Sequence, residues 1–154
     1  EGLVRVPLIV SWPGHIEAGQ RSVALVELTD KAPTLLELCG QEIPDNMTGK
    51  SLLPILTGQA PPDHHRAFVR CEYYDALQAP DGTLATMYRD RRHKLVVYHG
   101  REYGELYDLQ EDPDEFDNQW ENSAFTNIRA DLMKRSFDAS MLAMDRGPRR
   151  IGGI

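Results

Sequence analysis

The sequence has few of the features from which self-contained catalytic or disulfide-rich sites are built. Its 154 residues include only two cysteines, Cys39 and Cys71, and no CxxC spacing. Two thiols are too few for a disulfide scaffold, and free cysteines are most often buried structural residues. The chain also lacks an HExxH motif, a GxSxG nucleophile elbow and a glycine-rich phosphate loop. We therefore expect no metal site within this chain.

Positive charge and long apolar runs are also scarce. Lys and Arg total 17 against 24 Asp and Glu, so the formal net charge at pH 7 is −7. This balance opposes binding to nucleic acid, because phosphate contacts need clustered basic residues. No apolar run approaches the roughly 20 residues that span a bilayer, and no signal peptide pattern opens the chain. We expect a soluble chain without a targeting segment and with no nucleic-acid or membrane partner. Its compartment stays open.

The first part of the chain shows the pattern of a strand followed by two helices. Leu3–Ser11 contains a β-branched run and ends at the turn signal Trp12–Gly14, which predicts a leading strand. Asp30 can cap a helix that ends at Gly40. Ser51 can cap a second, shorter helix.

The rest of the chain carries strand-like runs before a helical pattern. Asp112 with Pro113 is typical of a helix start, and Ser123–Met144 has apolar residues at helical spacing. Four runs with no helix between them predict an antiparallel sheet, at residues 66–73, 83–89, 93–99 and 105–109. The predicted fold class is α+β. A leading strand and helices are followed by a roughly four-stranded antiparallel sheet, packed by a long C-terminal helix.

Three side chains of the predicted sheet are candidates for substrate binding: Tyr73, Tyr74 and His99. Adjacent tyrosines in a strand are most often sheet residues, but their rings can also form a platform for a substrate. His93 and His99 are an even number of residues apart along one strand, so they can share a face, yet they lie too far apart to chelate one metal ion. The basic run at residues 89–94 is either a solvated turn, or a contact to an anion or to the missing part of the chain.

Four motif blocks occur in an order typical of one enzyme family. The first reads E-G-x-x-R-x-P before a hydrophobic run and WPG, and the second reads D-x-x-P-T-L-L-x-L-x-G. The third reads G-x-S-L-x-P-x-L-x-G, and the fourth reads E-L-Y-D-L-x-x-D-P-x-E-x-x-N. They occupy residues 1–14, 30–40, 49–58 and 105–118. With these blocks in this order, the chain resembles the C-terminal part of a sulfatase.

The resemblance implies chemistry whose key residues do not match this chain. Sulfatases resemble alkaline phosphatase in fold and use a formylglycine, made from Cys or Ser in a C/S-x-P-x-R motif, beside a divalent cation that is usually calcium. Cys39 is followed by Gly-Gln-Glu-Ile and Cys71 by Glu-Tyr-Tyr-Asp, so the proline and arginine of the motif are absent after both cysteines. The resemblance therefore places formylglycine and calcium in an N-terminal part that is missing here. It assigns no catalytic or metal-binding residue to this chain.

The resemblance also implies a division of the chain and a set of partners. Residues 1–62 would end the large sulfatase α/β domain, residues 63–144 would form a small C-terminal α+β subdomain, and residues 145–154 would be a tail. The expected partners are the missing N-terminal sulfatase domain and a small anionic ester substrate. Because a leading strand without neighbours exposes an apolar edge, we also expect self-association, with Val6, Leu8 and Val10 near the contact.

The function implied is that of the C-terminal portion of a sulfuric ester hydrolase. In this hypothesis the chain is structural and completes the substrate pocket, but it is not catalytic by itself. Two alternatives stay open. The parent could be a phosphonate or phosphate monoester hydrolase of the same superfamily, or the chain could be a free-standing binding module derived from a sulfatase.

Overall fold

A computed structural model describes residues 4–75 and 82–144. These residues form three α-helices, four β-strands and two single turns of 3₁₀-helix. The helices are α1 (Lys31–Leu38), α2 (Leu53–Leu56) and α3 (Thr126–Ala143), and the 3₁₀ turns are Leu28–Asp30 and Ser123–Phe125. The strands are β1 (Val69–Tyr74), β2 (Leu84–Arg89), β3 (His93–Tyr98) and β4 (Gly104–Asp108). No helix among the described residues is long and apolar enough to cross a bilayer.

The chain divides into two compact units. The described part of the first unit is residues 4–10, 66–75 and 82–139, and that of the second is residues 11–65 and 140–144. The predicted domain limits at residues 62 and 144 stay a prediction. The predicted tail, residues 145–154, lies outside the described residues.

The first unit contains a four-stranded antiparallel sheet in the order β1-β2-β3-β4. Each strand pairs with its neighbour in sequence, which confirms the predicted antiparallel sheet. The register aligns Tyr88 of β2 with Leu95 of β3, and Leu95 with Leu106 of β4. Because side chains alternate between the faces of a strand, this register brings the three apolar side chains together on one face.

The core of the first unit lies between that face and α3. Tyr88, Leu95 and Leu106 of the sheet pack with Leu132 and Ala139 of the helix, and all five are buried. Burial of a large apolar side chain stabilises a fold by about 1.5–3 kcal/mol. The long helix predicted for Ser123–Met144 is confirmed, and Asn122 caps its leading 3₁₀ turn by accepting a hydrogen bond from the backbone N–H of Ala124.

The second unit is organised around the carboxylate of Asp30, which is fully buried. It accepts hydrogen bonds from the backbone N–H groups of Glu27 and Lys50, each at 2.8 Å. Nε2 of His65 lies 3.4 Å from the same carboxylate. Asp30 occupies the N-cap position of α1 as predicted, but its side chain makes no hydrogen bond to that helix. It instead joins segments that are distant in sequence.

Two neighbours of Asp30 fasten α1 to the segment that precedes α2. The Thr34 hydroxyl donates to the backbone carbonyl of Asp30 at 2.6 Å and accepts from the backbone N–H of Leu52 at 2.8 Å. Gly49 lies so close to the preceding 3₁₀ turn that an added Cβ would be 2.1 Å from the carbonyl oxygen of Thr29. The N-cap of the shorter helix is Leu52 and not the predicted Ser51, because the helix begins one residue later at Leu53. The Ser51 hydroxyl accepts from the backbone N–H of Leu53 at 3.1 Å from the position before the cap.

The predicted leading strand is not formed as a strand. Its described part, residues 4–11, contains no strand residue, and none of the four strands pairs with it. The apolar, β-branched pattern is real, but a strand also needs a neighbour to take its backbone hydrogen bonds. Apolar side chains of this segment remain in contact with solvent: Val6 is 54% exposed and Ile9 is 88% exposed.

The helix predicted to begin at Pro113 is also absent. The carboxylate of Asp112 accepts from the backbone N–H groups of Phe116 and Asp117, at 3.1 and 2.8 Å, and so stabilises a loop. Glu115 has φ of +62°, a left-handed conformation that ends any helical path. Its carboxylate accepts two hydrogen bonds from Nζ of Lys94 on β3, at 2.7 and 2.8 Å. A contact distant in sequence therefore overrides the local helix signal.

A second ion pair links the turn between β2 and β3 to the end of β4. The Arg92 guanidinium donates three hydrogen bonds of 2.8–3.2 Å to the carboxylate of Asp108, at the end of β4. These bonds hold the pKa of Asp108 below its usual range, although burial acts in the opposite direction.

Breaking the Lys94–Glu115 pair from one side should destabilise the fold strongly. Both side chains are largely buried, so Glu115→Gln or Lys94→Met leaves one buried charge without its partner, at a cost of about 3–5 kcal/mol. Lys134→Met, which breaks the exposed Lys134–Asp138 pair, should cost less than about 1 kcal/mol. Urea denaturation measures both free energies of unfolding, and equal losses would contradict a structural role for the buried pair.

The Arg92–Asp108 pair should make stability depend on pH in the acid range. Because the pKa of Asp108 is lowered in the folded state, its stabilising effect is present above the ordinary Asp pKa of about 3.9. The effect is lost as the pH falls through the lower, folded value. Asp108→Asn should therefore lower the denaturation midpoint more at pH 7 than at pH 2.5. Asp114→Asn, at an exposed loop position, is the control, and an Asp108→Asn effect independent of pH would contradict the assignment.

Candidate functional site

The predicted substrate-binding residues Tyr73 and Tyr74 lie at the end of β1 on opposite faces of the sheet. Tyr73 pairs with Ala85 of β2, and Tyr74 pairs with Leu84. Side chains alternate along a strand, so the two rings cannot form one platform. Tyr74 is 79% exposed, whereas Tyr73 is half-buried.

His99, the third predicted residue, follows directly after β3. Its backbone N–H donates to the carbonyl of Leu84 at 2.8 Å, which continues the ladder by one residue. Its ring Nε2 lies 2.7 Å from the hydroxyl of Thr86, which fixes the orientation of the imidazole. Tyr74 and His99 therefore flank Leu84 from either side of β2 at one end of the face that α3 covers, with two strand spacings, about 10 Å, between them.

Two cations of the basic run at residues 89–94 form ion pairs within the chain. Arg92 pairs with Asp108, and Lys94 is buried against Glu115. Both cations are therefore engaged within the chain, but the Arg92 side chain is 56% exposed, and the anion contact stays a prediction. The carboxylates that bind them come from the fourth motif block. A search of the sequence for opposite charges that meet across neighbouring strands could have suggested such pairing, but it could not have chosen the partners.

A charged cleft of about 460 Å³ lies where the turn between β2 and β3 meets the start of α3. His93 stands at its base between two carboxylates: Nδ1 is 4.0 Å from Asp90, and Nε2 is 4.0 Å from Asp108. From the helix, Arg135 pairs with Asp131 at 2.8 Å and lies 3.9 Å from Asp90. Acidic and basic groups therefore balance within the cleft, and its charges are held by one another.

The described residues do not supply the cofactor chemistry that the motif blocks imply. Among residues 4–75 and 82–144, no group of three or more His, Cys, Asp or Glu side chains could hold a metal ion. Cys39 and Cys71 are exposed free thiols outside any C-x-P-x-R motif. Calcium and formylglycine therefore do not fit residues of the described part.

Comparison with known proteins connects this geometry to a family. The family model described as N-sulphoglucosamine sulphohydrolase, C-terminal, matches residues 1–141. The chain is 31% identical over 150 residues to an N-acetylglucosamine-6-O-sulfatase of Bacteroides thetaiotaomicron, and the match covers 94% of this chain and 26% of the relative.

Solved structures share the fold. A putative sulfatase from Bacteroides thetaiotaomicron is similar with a TM-score of 0.66 and 29% identity, over 75% of this chain and 25% of that one. A phosphonate monoester hydrolase from Silicibacter pomeroyi is similar with a TM-score of 0.65 and 31% identity, over 76% of this chain and 25% of that one. The chain thus spans about a quarter of the length of these proteins. It belongs to the family described as N-sulphoglucosamine sulphohydrolase, C-terminal.

Proposed function

We propose that the protein containing this chain hydrolyses a sulfate ester, and that the chain holds the C-terminal scaffold and completes the substrate pocket. The family match over residues 1–141 is the observation that carries this proposal. The similarity to an N-acetylglucosamine-6-O-sulfatase supports a sulfate ester on a carbohydrate as the substrate class.

The buried charged groups are held by partners within the chain, which supports a structural role for the chain in this function. Asp30 is buried, accepts hydrogen bonds from two backbone N–H groups and lies 3.4 Å from Nε2 of His65. Lys94 is held by Glu115. Groups committed in this way are poor candidates for chemistry, because a catalytic group must be able to reach the reacting atoms. We place the nucleophile, a formylglycine, and the calcium ligands in other parts of the protein. The partner of this chain is then the N-terminal sulfatase domain.

Completion of the pocket is the more specific part of the proposal. Tyr74 and His99 stand at one end of one sheet face and carry groups that can donate hydrogen bonds to an anionic ester or to sugar hydroxyls. Tyr73 was predicted together with them but lies on the opposite face. In the proposed pocket Tyr74 and His99 therefore contact one ligand, and Tyr73 stands outside that pocket.

Phosphonate or phosphate monoester hydrolysis is the second candidate function. The similarity to the phosphonate monoester hydrolase from Silicibacter pomeroyi favours it, with 31% identity over 76% of this chain.

A free-standing binding module is the third hypothesis. It predicts that the protein binds its ligand without turnover. Self-association through the leading segment, near Val6, Leu8 and Val10, also remains a proposal, supported by the exposure of these side chains.

The 154-residue chain alone should be catalytically silent, because its described residues supply neither the nucleophile motif nor a metal-binding cluster. Release of 4-nitrophenol from its sulfate ester and from its phenylphosphonate ester should stay at the water blank, with or without calcium. The whole protein should cleave the sulfate ester faster than the phosphonate. Turnover by the isolated chain that survives repurification would contradict the proposal, and the opposite preference in the whole protein would favour the second candidate.

Substitutions of Tyr74 and His99 in the whole protein should weaken substrate binding. Loss of a hydrogen bond to a charged group costs about 1.5–3 kcal/mol, so Tyr74→Phe and His99→Ala should each raise KM about tenfold or more. Tyr73→Phe is the matched control on the opposite face and should leave KM unchanged. Steady-state kinetics decides between the two positions, and a KM effect confined to Tyr73→Phe would place the pocket on the other face.

A further inference from the structure

The sheet face turned away from α3 carries a cluster of tyrosines around one carboxylate. Tyr98 of β3 and Tyr103, just before β4, have ring centroids 5.0 Å apart at an interplanar angle of 44°. The Tyr98 hydroxyl donates to Oε1 of Glu105 at 2.7 Å. Tyr107 lies two residues further along β4 on the same face. Glu105 is therefore flanked by three aromatic rings.

Glu105 differs from two other carboxylates near the sheet, Asp108 at the end of β4 and Glu115 in the loop that follows. Asp108 is paired with Arg92, and Glu115 is paired with Lys94. Among the described residues Glu105 forms no ion pair, and its carboxylate accepts a hydrogen bond from the Tyr98 hydroxyl. Nζ of Lys94 lies 5.8 Å from the Tyr107 ring centroid, but it donates its hydrogen bonds to Glu115.

Tyr98 and Tyr107 stay protonated at neutral pH. The hydrogen bond to Glu105 and then burial raise the pKa of Tyr98 to about 12. Burial, followed by the charge of Glu105, raises the pKa of Tyr107 to about 12. Neutral phenol rings present electron-rich faces, and the ionised carboxylate between them is an acceptor only. Such a surface attracts a cation both by cation–π contact and by charge.

We propose that the cluster of Tyr98, Tyr103, Glu105 and Tyr107 binds a lysine ammonium group presented by a partner polypeptide. Tyr103 is 56% exposed, and Tyr98, Glu105 and Tyr107 are half-buried. The cluster can therefore hold one cationic head group but does not enclose a small molecule. Enclosed pockets bury most of a small ligand's surface, whereas an open face suits a side chain held in place by its own backbone.

The geometry favours lysine over arginine. Oε1 of Glu105 is already engaged by the Tyr98 hydroxyl, so a planar guanidinium cannot take both oxygens in its usual two-bond fork without displacing that hydroxyl. A compact ammonium group needs only one free oxygen and the ring faces. The selectivity of the site is therefore for a point charge.

Peptide titrations of the folded 154-residue chain test this site. The probes are acetylated and amidated Gly-Gly-X-Gly-Gly peptides, in which X is lysine, arginine or norleucine, and the readout is the shift of the tyrosine ring signals by NMR. The lysine peptide should bind saturably, and the norleucine and arginine peptides should bind at least about fivefold more weakly, because one lacks the charge and the other needs the fork.

Two variants separate the cluster from general surface charge. Glu105→Gln keeps a hydrogen-bond acceptor for Tyr98 but removes the charge, and it should weaken the lysine peptide at least about tenfold. Glu102→Gln removes the same charge from an exposed position nearby and should leave binding unchanged. Equal weakening by both variants would overturn the proposal. So would equal binding of the lysine and norleucine peptides by the unaltered chain, or arginine binding as tight as lysine. The peptide comparison decides the matter even if Glu105→Gln fails to fold.

Discussion

A charge that is removed from water must be met by hydrogen bonds or by an opposite charge, and this constraint shapes both units. In the second unit, the buried Asp30 carboxylate is met by backbone N–H groups on either side of α1, which ties the ordered segments together where regular structure is sparse. In the first unit, Lys94 is buried on β3 and is met by Glu115. The loop after β4 must therefore return over the sheet. Each requirement determines the path of a segment whose local sequence would allow other conformations.

The sheet and α3 could be predicted because their patterns are local. Each strand pairs with its neighbour in sequence, so runs of strand-like residues separated by turns were sufficient to place them. The prediction of a strand in the leading segment, residues 4–11, was wrong for the opposite reason. A strand also needs a neighbouring strand to pair with, and the residue pattern does not show whether one is present. Pro113 and Glu115 satisfied the local rules for a helix start, yet the contact of Glu115 with Lys94 prevailed. No local rule contains that contact.

The candidate site was predictable only in part. Alternation along a strand could already have separated Tyr73 from Tyr74, because adjacent residues face opposite ways. The approach of His99 to Thr86 depends on the register between β2 and β3, which the residue pattern did not supply. The tyrosine cluster around Glu105 was missed for the same reason. Its members belong to β3 and to the region of β4, and only the pairing of those strands places Tyr98 against Glu105.

The strand order of the sheet also has a consequence for how the chain folds. In a meander, every backbone ladder joins segments that are already close along the chain, so little chain entropy is lost when each pair closes. Proteins rich in such contacts fold faster than those built from distant pairings. The hairpins of β2, β3 and β4 can therefore form before the rest of the molecule is in place. The α3 helix can then pack on a sheet that has already formed. Leu95 and Leu106 are therefore exposed for a shorter time during folding, when exposed apolar side chains can form wrong contacts.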